Sequence, residues 1–301
     1  MSDEARGRAK VDVLIVNYRT PGLTQEAVAA VSGESRRTFV WDNSGELAAA
    51  DLPGAVLLSN GDNILYAAAS NRLYEQSDSP LVLLLNSDAR CTGPDLQALV
   101  DALGEDRAYW GAAPRLVDEA GRDQDYRRRL PTTAMLLADR LPAGHRLLRG
   151  PWRRLYCRDL DPSAPGTVEQ PAAACLLLRR AAVGPVLFDE AYPLFGNDLD
   201  LARRLSAAGS RCRYVPDVVV THVGGASIST VGRGGRGWLR QQYDDALRRY
   251  ARRHLRGWWL LEPLFWLRRS ATLMQGGRAV REQAPPGASL GTSPASEDVD
   301  L

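Results

Sequence analysis

The strongest constraint on the fold is a unit repeated through the first third of the chain: a short apolar run, most often closing on Asn or Asp, followed by a stretch with helical spacing. VDVLIVN from Val11, TFVWDN from Thr38, AVLLS from Ala55 and LVLLLN from Leu81 have the length and composition of strands. They are apolar at successive positions as well as alternate ones, so both faces must be covered. Helices are predicted over residues 23–31, opened by Pro21 and Gly22, over 64–76, and from Pro94 to about 103. Such an alternation defines an α/β chain with a parallel sheet between helical layers. Ligands bind beyond the carboxyl ends of the strands in these sheets. Here those ends read Asn17-Tyr18, Asp42-Asn43 and Asn86-Ser87-Asp88, so one polar edge is expected to carry the site.

The remaining chain is less periodic. Residues 130–167 are rich in Pro and Arg and read as a variable loop or short helices near the substrate. VEQPAAACLLLRR from Val168 is strand-like, and RCRYVP and VVVTHV read as two strands separated by Pro216 and Asp217. Asp198 immediately precedes a helix expected over about 199–208 and stopped by Gly209. A glycine-rich stretch then leads to a basic helix over about 238–255.

Composition removes several classes. At 301 residues, 45% hydrophobic and 25% charged, the chain is ordinary globular protein. Among its basic residues the one lysine is Lys10, a bias that fits a GC-rich genome and says little about nucleic acid. Four cysteines, Cys91, Cys157, Cys175 and Cys212, form no CxxC pair and read as reduced, buried thiols. The polar N-terminus has no signal-peptide core, and no apolar run reaches the ~18 residues of a membrane span, so a cytoplasmic chain is expected. The net charge is +2, but twelve arginines face three acids within residues 231–281. No recognised nucleic-acid module accompanies them, and no nucleic-acid role is read.

Eight motifs in order give the chain a resemblance to family-2 glycosyltransferases of GT-A fold, especially the rhamnosyltransferase-like group. They are VNY from Val16, WDNS from Trp41, DNILYAAASN from Asp62, LLLNSDA from Leu83, AACLLLRR from Ala173, FDE from Phe188, GNDLDLARRL from Gly196 and VTHVGGAS from Val220. The resemblance covers about residues 10–255. It implies a Rossmann-like nucleotide-binding sheet merged with an acceptor-binding half over residues 10–230. A tail over 1–9, a basic aromatic helical extension over 231–281 and a disordered tail over 282–301 complete the expected organisation.

The resemblance also implies roles. Asn86-Ser87-Asp88 corresponds to the family's Asp-x-Asp, with Asn86 contacting the donor and Asp88 a divalent cation, Mn2+ or Mg2+. Read alone, the tripeptide also suits a turn or helix cap. His222 resembles a further metal ligand, an imidazole among oxygens favouring Mn2+, although an isolated histidine also serves structure. Asp198 resembles the base of an inverting transfer, and an Asp before a helix is equally a cap. The family's usual acid before it is Asn197 here. Asn17, Tyr18, Asp42 and Asn43 resemble the base and ribose end of the donor site, with Asp42 accepting from N3–H of uracil or thymine, which points to UDP- or dTDP-sugars. Asn63 matches the opening of an N-x-G-aromatic motif whose glycine is replaced by Leu65. The implied acceptor is a hydroxyl of a glycan, a polyprenyl-linked intermediate or a small metabolite. The alternative is a noncatalytic sugar-nucleotide-binding protein or assembly partner, motivated by Leu65, Asn86 and Asn197.

The segment from Arg248 to Arg269 sets an aromatic cluster, Trp258, Trp259, Phe265 and Trp266, between groups of arginines. That composition suits the surface of an anionic membrane, a helix packed on the catalytic domain, or a homodimer interface.

Overall fold

In the computed structural model, which describes residues 11–33, 36–226 and 233–276, the repeated unit folds as its sequence predicts. Strands β1 (Val11–Asn17), β2 (Arg36–Asp42), β3 (Ala55–Leu58) and β4 (Leu81–Asn86) lie parallel in the order β3-β2-β1-β4. Helices α1 (Pro21–Val31), α2 (Leu65–Gln76) and α3 (Gly93–Leu103) connect or follow them. The successive apolar residues divide between two layers. Val13, Ile15, Leu83 and Leu85 enter the core on one face, and Leu14, Val82 and Leu84 enter the core on the other. Asp12 interrupts β1, and its buried carboxylate is held by its register partner Arg37 through Nε (2.9 Å) and Nη2 (2.6 Å).

The second half extends the sheet. It adds β5 (Ala89–Arg90), β6 (Tyr109–Val117), β7 (Gly166–Val168), β8 (Cys175–Arg179) and β9 (Arg211–His222). The main order becomes β3-β2-β1-β4-β8-β6-β9-β5, with β8 antiparallel to both neighbours and β6 parallel to β9. Two of these strands differ from the expectation. β6 contains Gly111 and Pro114, which hid it in the sequence; a Cβ at Gly111 would sit 2.4 Å from the Leu177 carbonyl oxygen, so only glycine lets β8 approach. Pro216 and Asp217 do not end a strand. Pro114 pairs with Val215 and Arg115 with Val219, so residues 216–218 bulge from one continuous strand where proline has no N–H for the ladder.

Residues 130–167 contain short helices, α4 (Thr133–Arg140), α5 (Gly144–Leu147) and α6 (Arg149–Leu155), and after α7 (Arg180–Val183) the chain reaches α8 (Asn197–Ala207). This helix begins two residues earlier than predicted. Gly196, at φ +77, makes the entry turn, and a Cβ there would meet Ala246 and Tyr192 side-chain carbons at 3.1 Å. Asp198 therefore lies inside the first turn and is not the cap.

Helices α9 (Arg233–His254) and α10 (Glu262–Gly276), joined by a 3-10 turn, pack on the second half. Tyr250, Ala251, Leu261 and Phe265 form one core with Leu136, Tyr192 and Leu199. The tails expected over 1–9 and 282–301 lie outside the described residues. All four cysteines are free and buried, and among the described residues no helix is long and apolar enough to cross a membrane.

Candidate active site

The parallel registers align Asn17 with Asp42 and Val16 with Asn86, which sets the polar strand ends in one row. A cavity of about 480 Å³ opens beyond that row, a size suited to a small-molecule ligand. Tyr18, Asn43, Asn63, Asn86, Asp88, Asp198 and His222 all line it, whereas Asn17 and Asp42 do not.

Asp88 and His222 are brought together by a two-residue pairing. Ala89 faces His222 across β5 and β9, and the Val223 N–H donates to the Asp88 carbonyl at 3.0 Å. His222 Nε2 then lies 3.2 Å from Asp88 Oδ1 and 3.4 Å from Asn86 Nδ2. On its other side, Gln124 donates from Nε2 to the His222 carbonyl (2.8 Å), which leaves Oε1 to accept from His222 Nδ1 (2.9 Å). This network assigns the proton of a neutral imidazole to Nδ1 and turns the bare Nε2 toward a carboxylate. Two acceptors at that separation need a cation between them, either a proton or a metal. Burial works to raise the Asp88 carboxyl, but with a proton on Nε2 the hydrogen bond and charge of His222, together with the Ala226 N–H, hold it below the ordinary carboxylate range.

The donor atoms fit a divalent ion. Adjacent ligands of an octahedral ion with bonds of about 2.1 Å stand about 3 Å apart, close to the Asp88–His222 spacing. Among the described residues no cluster of three or more His, Cys, Asp or Glu side chains could hold a metal. Asp88 and His222 could supply two ligands to an ion shared with phosphate oxygens. Gln124, which the sequence reading missed, makes the outer hydrogen bond to His222 that would orient an imidazole for a metal.

Asn17 and Asp42 depart from their expected place. Asp42 is 1% exposed. Its Oδ1 accepts from Asn17 Nδ2 (2.8 Å), Ser44 N (2.9 Å) and Ser44 Oγ (2.9 Å), and its Oδ2 from Leu47 N (2.9 Å). Asn17 in turn accepts from Thr20 N (3.2 Å) and from the Thr20 (3.2 Å) and Thr24 (2.9 Å) hydroxyls. Burial raises the Asp42 carboxyl, yet these donors more than offset it and keep the group ionised. The pair clamps the loops after β1 and β2, and in this arrangement it offers no group to a nucleobase. Asn43 lines the cavity, with Oδ1 engaged by Trp41 Nε1 (3.0 Å) and Ile64 N (3.1 Å), so Nδ2 is its outward donor.

Across the cavity, Asp198 Oδ1 accepts from the Leu199 N–H (2.7 Å), and the Asp198 N–H donates to Asn197 Oδ1 (2.8 Å). Burial pushes the Asp198 carboxyl up, against the smaller opposing effects of the Arg128 charge and the backbone N–H groups of Leu199 and Ala173. A carboxylate so placed is a strengthened base. Asp200 is engaged by Arg204 at 3.1 Å. The sequence reading did not find Arg128, Tyr156 or Tyr243, which share this wall. Arg128 and Tyr156 fall in segments without periodicity, and Tyr243 lies in the basic helix, which was read for its charge.

No protein-family model matches the chain. It is 29% identical over 277 residues, 86% of this chain and 85% of the relative, to a Mycobacterium tuberculosis protein named N-acetylglucosaminyl-diphospho-decaprenol L-rhamnosyltransferase. Among solved structures, a mannosyltransferase from Pyrobaculum calidifontis in complex with GDP-Man and Mn2+ superposes with a TM-score of 0.52 at 15% identity, covering 91% of this chain and 72% of that one. At that identity the superposition speaks for the fold, which is GT-A. In sequence and fold the chain is similar to family-2, rhamnosyltransferase-like glycosyltransferases.

Within this glycosyltransferase, Leu65 shows what its departure from glycine does. The residue keeps the left-handed backbone, at φ +67, and the Asn63 side chain accepts its N–H at 3.0 Å. The leucine thus adds a side chain to the cavity wall at the expense of backbone strain. Leu65→Gly should raise the urea midpoint, by a gain of up to about 1 kcal/mol, because a half-buried leucine gives up little burial. It should also admit bulkier nucleotide sugars in a thermal-shift panel. A lower midpoint would show that side-chain packing outweighs the strain.

Proposed function

We propose that the glycosyltransferase moves a deoxyhexose, with inversion, from a dTDP- or UDP-sugar to a hydroxyl of a prenyl-diphosphate-linked sugar, using a divalent cation. The observation that carries this reading is one cavity with a strengthened carboxylate base, Asp198, on one wall and the Asp88–His222 pair on another. The Mycobacterium tuberculosis relative names L-rhamnose and a diphospho-decaprenol-linked N-acetylglucosamine, which supports both the sugar class and the acceptor class.

Asp198 takes the proton of the acceptor hydroxyl as that oxygen forms its bond to the anomeric carbon. The bond from that carbon to the diphosphate breaks on the opposite face, and its electron pair leaves with the nucleoside diphosphate. Tyr18 and Asn43 hold the base end of the donor in place of Asp42, while Asn63 and Asn86 flank the sugar and diphosphate. Asp88 and His222 hold the cation, with Gln124 fixing the imidazole. A divalent ion supplies Lewis-acid stabilisation to the diphosphate charge.

Asp198→Asn should lower turnover by ~10² to 10⁴ while leaving nucleotide-sugar affinity nearly unchanged in calorimetry. The base acts only when deprotonated, so kcat/KM should rise with pH through an acid limb lying above the ordinary carboxylate range, the direction in which burial shifts Asp198. Turnover within a factor of about ten of the parent would assign the proton to another group.

EDTA should abolish transfer, and Mn2+ should restore it. Gln124→Leu should weaken Mn2+ binding about 10- to 100-fold, measured by titration calorimetry, because the imidazole loses its fixed tautomer. Unchanged Mn2+ affinity in that variant would remove the orienting role, and full activity in EDTA would remove the metal.

The C-terminal aromatic segment divides between two uses. Phe265 is buried in the core beneath α9 and α10, whereas Trp259 (63%), Leu260 (46%), Trp266 (67%) and Leu267 (57%) face outward. Several arginines expected to face lipid are engaged instead: Arg248 and Arg252 with Glu262, Arg253 with Asp189 and Arg268 with Asp244. Arg256 and Arg269 are exposed beside the outward tryptophans and leucines. This patch seats the enzyme on an anionic bilayer, with aromatics at headgroup depth and cations among the phosphates. The wild type should float with anionic liposomes and a Trp259→Ser/Trp266→Ser variant should not. Equal flotation, or a variant that differs only in oligomeric mass, would place the patch at a protein contact.

A further inference from the structure

Arg128 occupies the wall of the active-site cavity without a carboxylate of its own. Its Nε donates to the Asp125 carbonyl (2.8 Å), its Nη1 reaches the Tyr243 hydroxyl (3.4 Å), and its guanidinium carbon lies 5.1 Å from the centre of the Tyr156 ring. The Asp125 carboxylate on the same turn points elsewhere, to Arg158 Nη2 at 2.6 Å. Nearby arginines find acids: Arg129 pairs with Asp159 (2.7 Å) and Arg140 with Asp139 (3.0 Å) and Asp244 (2.9 Å). Among the described residues no carboxylate lies within 4 Å of the Arg128 guanidinium.

A guanidinium carries five N–H donors in a planar fork. Two are engaged here, so Nη2 and one hydrogen of Nη1 are left for something else. Two aromatic side chains and a backbone carbonyl hold the fork in place, and an oriented cation without its own anion is arranged to meet one. The acids that share the cavity do not supply that anion. Asp139 is engaged by Arg140 and by the Tyr156 hydroxyl at 2.6 Å. Asp198 stands beyond ion-pair distance, and its Oδ1 is held by the Leu199 N–H.

The cavity is also lined by apolar side chains, Leu136, Leu155, Phe195, Trp238, Leu239 and Leu247. The cavity therefore offers a base for a hydroxyl, a cation for an anion and greasy surface for a hydrocarbon. A sugar joined to a lipid through phosphate presents those groups in that order.

Resting on the prenyl-linked acceptor reading above, we propose that Arg128 binds the acceptor's diphosphate through the Nη1–Nη2 fork and so selects lipid-diphosphate sugars over neutral glycosides. The donor's diphosphate remains the charge of the Asp88–His222 side. Arg128 is a specificity-determining residue and takes no part in proton transfer.

The test compares two acceptors, farnesyl-diphospho-N-acetylglucosamine and the phosphate-free octyl β-N-acetylglucosaminide, with full-length wild type, Arg128→Gln and Arg128→Lys. Its readout is the ratio of kcat/KM for the diphosphate acceptor to that for the octyl glycoside. Arg128→Gln should cut the ratio about 10- to 100-fold, the worth of charge-assisted hydrogen bonds. Arg128→Lys should fall between, since a point charge lacks the fork. An unchanged ratio with both rates depressed, and the acid limb of the pH profile displaced, would overturn the proposal and make Arg128 a support for Asp198. Wild type that glycosylates the octyl glycoside but not the diphosphate acceptor would overturn the acceptor reading itself, and the proposal with it. The melting temperature of each variant separates these outcomes from loss of fold.

Discussion

The site depends on a two-residue antiparallel pairing, Ala89 and Arg90 against His222 and Thr221. β4 belongs to the parallel half of the sheet and β9 to the mixed half, and these strands are separated in the sheet order by β8 and β6. A chain leaving β4 would otherwise enter α3 directly. The short strand instead folds the Asn86-Ser87-Asp88 turn across the ends of the intervening strands, and the Val223 N–H closes it on the Asp88 carbonyl. Asp88 and His222, 134 positions apart in sequence, meet because backbone hydrogen bonds fix the register immediately beside both residues. The distance between their side chains is thus set by the sheet and not by a flexible loop, which is the precision a coordination set requires.

The opposite end of the polar row is rigid for a different reason. Asn17 and Asp42 satisfy each other and the turns that follow them, with Thr20 and Thr24 completing the shell around Asn17. Thr20 extends this shell to Ser87 through a hydroxyl contact of 2.9 Å. The buried network therefore runs from the β2 loop to the turn that carries Asp88. Buried polar groups of this kind stabilise only when every partner is present, so the strand-end residues act together. The cavity-lining residues Tyr18 and Asn43 directly follow Asn17 and Asp42, which do not line the cavity.

Much of this was readable from sequence where hydrophobic period and strand-end polarity coincide. β1, β2 and β4 are apolar at successive positions because they are covered on both faces, and their last residues are polar because the sheet ends there. Asp88 and His222 sit in motifs at such ends, and Asp198 in a motif at a helix start. What escaped detection has a physical reason. β6 carries a glycine required by the approach of Leu177 and a proline beside the bulge, and both residues read as breakers. Gln124 and Arg128 lie in the irregular stretch after β6, where no repeat marks which side chain turns inward. For Asn17 and Asp42 the sequence shows that a polar pair ends two strands, but not whether the pair faces a ligand or one another. That depends on register, and register places them opposite each other.

Charge in the C-terminal extension shows the same limit. Twelve arginines against three acids suggest a cationic surface, yet Glu262 engages two of those arginines, Asp244 engages Arg268, and Asp189, far away in sequence, engages Arg253. Ion pairs with one exposed partner contribute little stability individually. They accompany a packing of α9 and α10 in which Phe265 is buried and Trp259 and Trp266 are exposed. Arg140 reaches the same Asp244 from α4 at 2.9 Å, which ties the extension to the short helices of residues 133–155. The outward tryptophans and the cavity wall built by Trp238, Leu239 and Leu247 then belong to one packed body. A lipid-bound acceptor meeting the patch would therefore encounter the active-site wall on the same helical scaffold, with no hinge between them among the pairs that hold it.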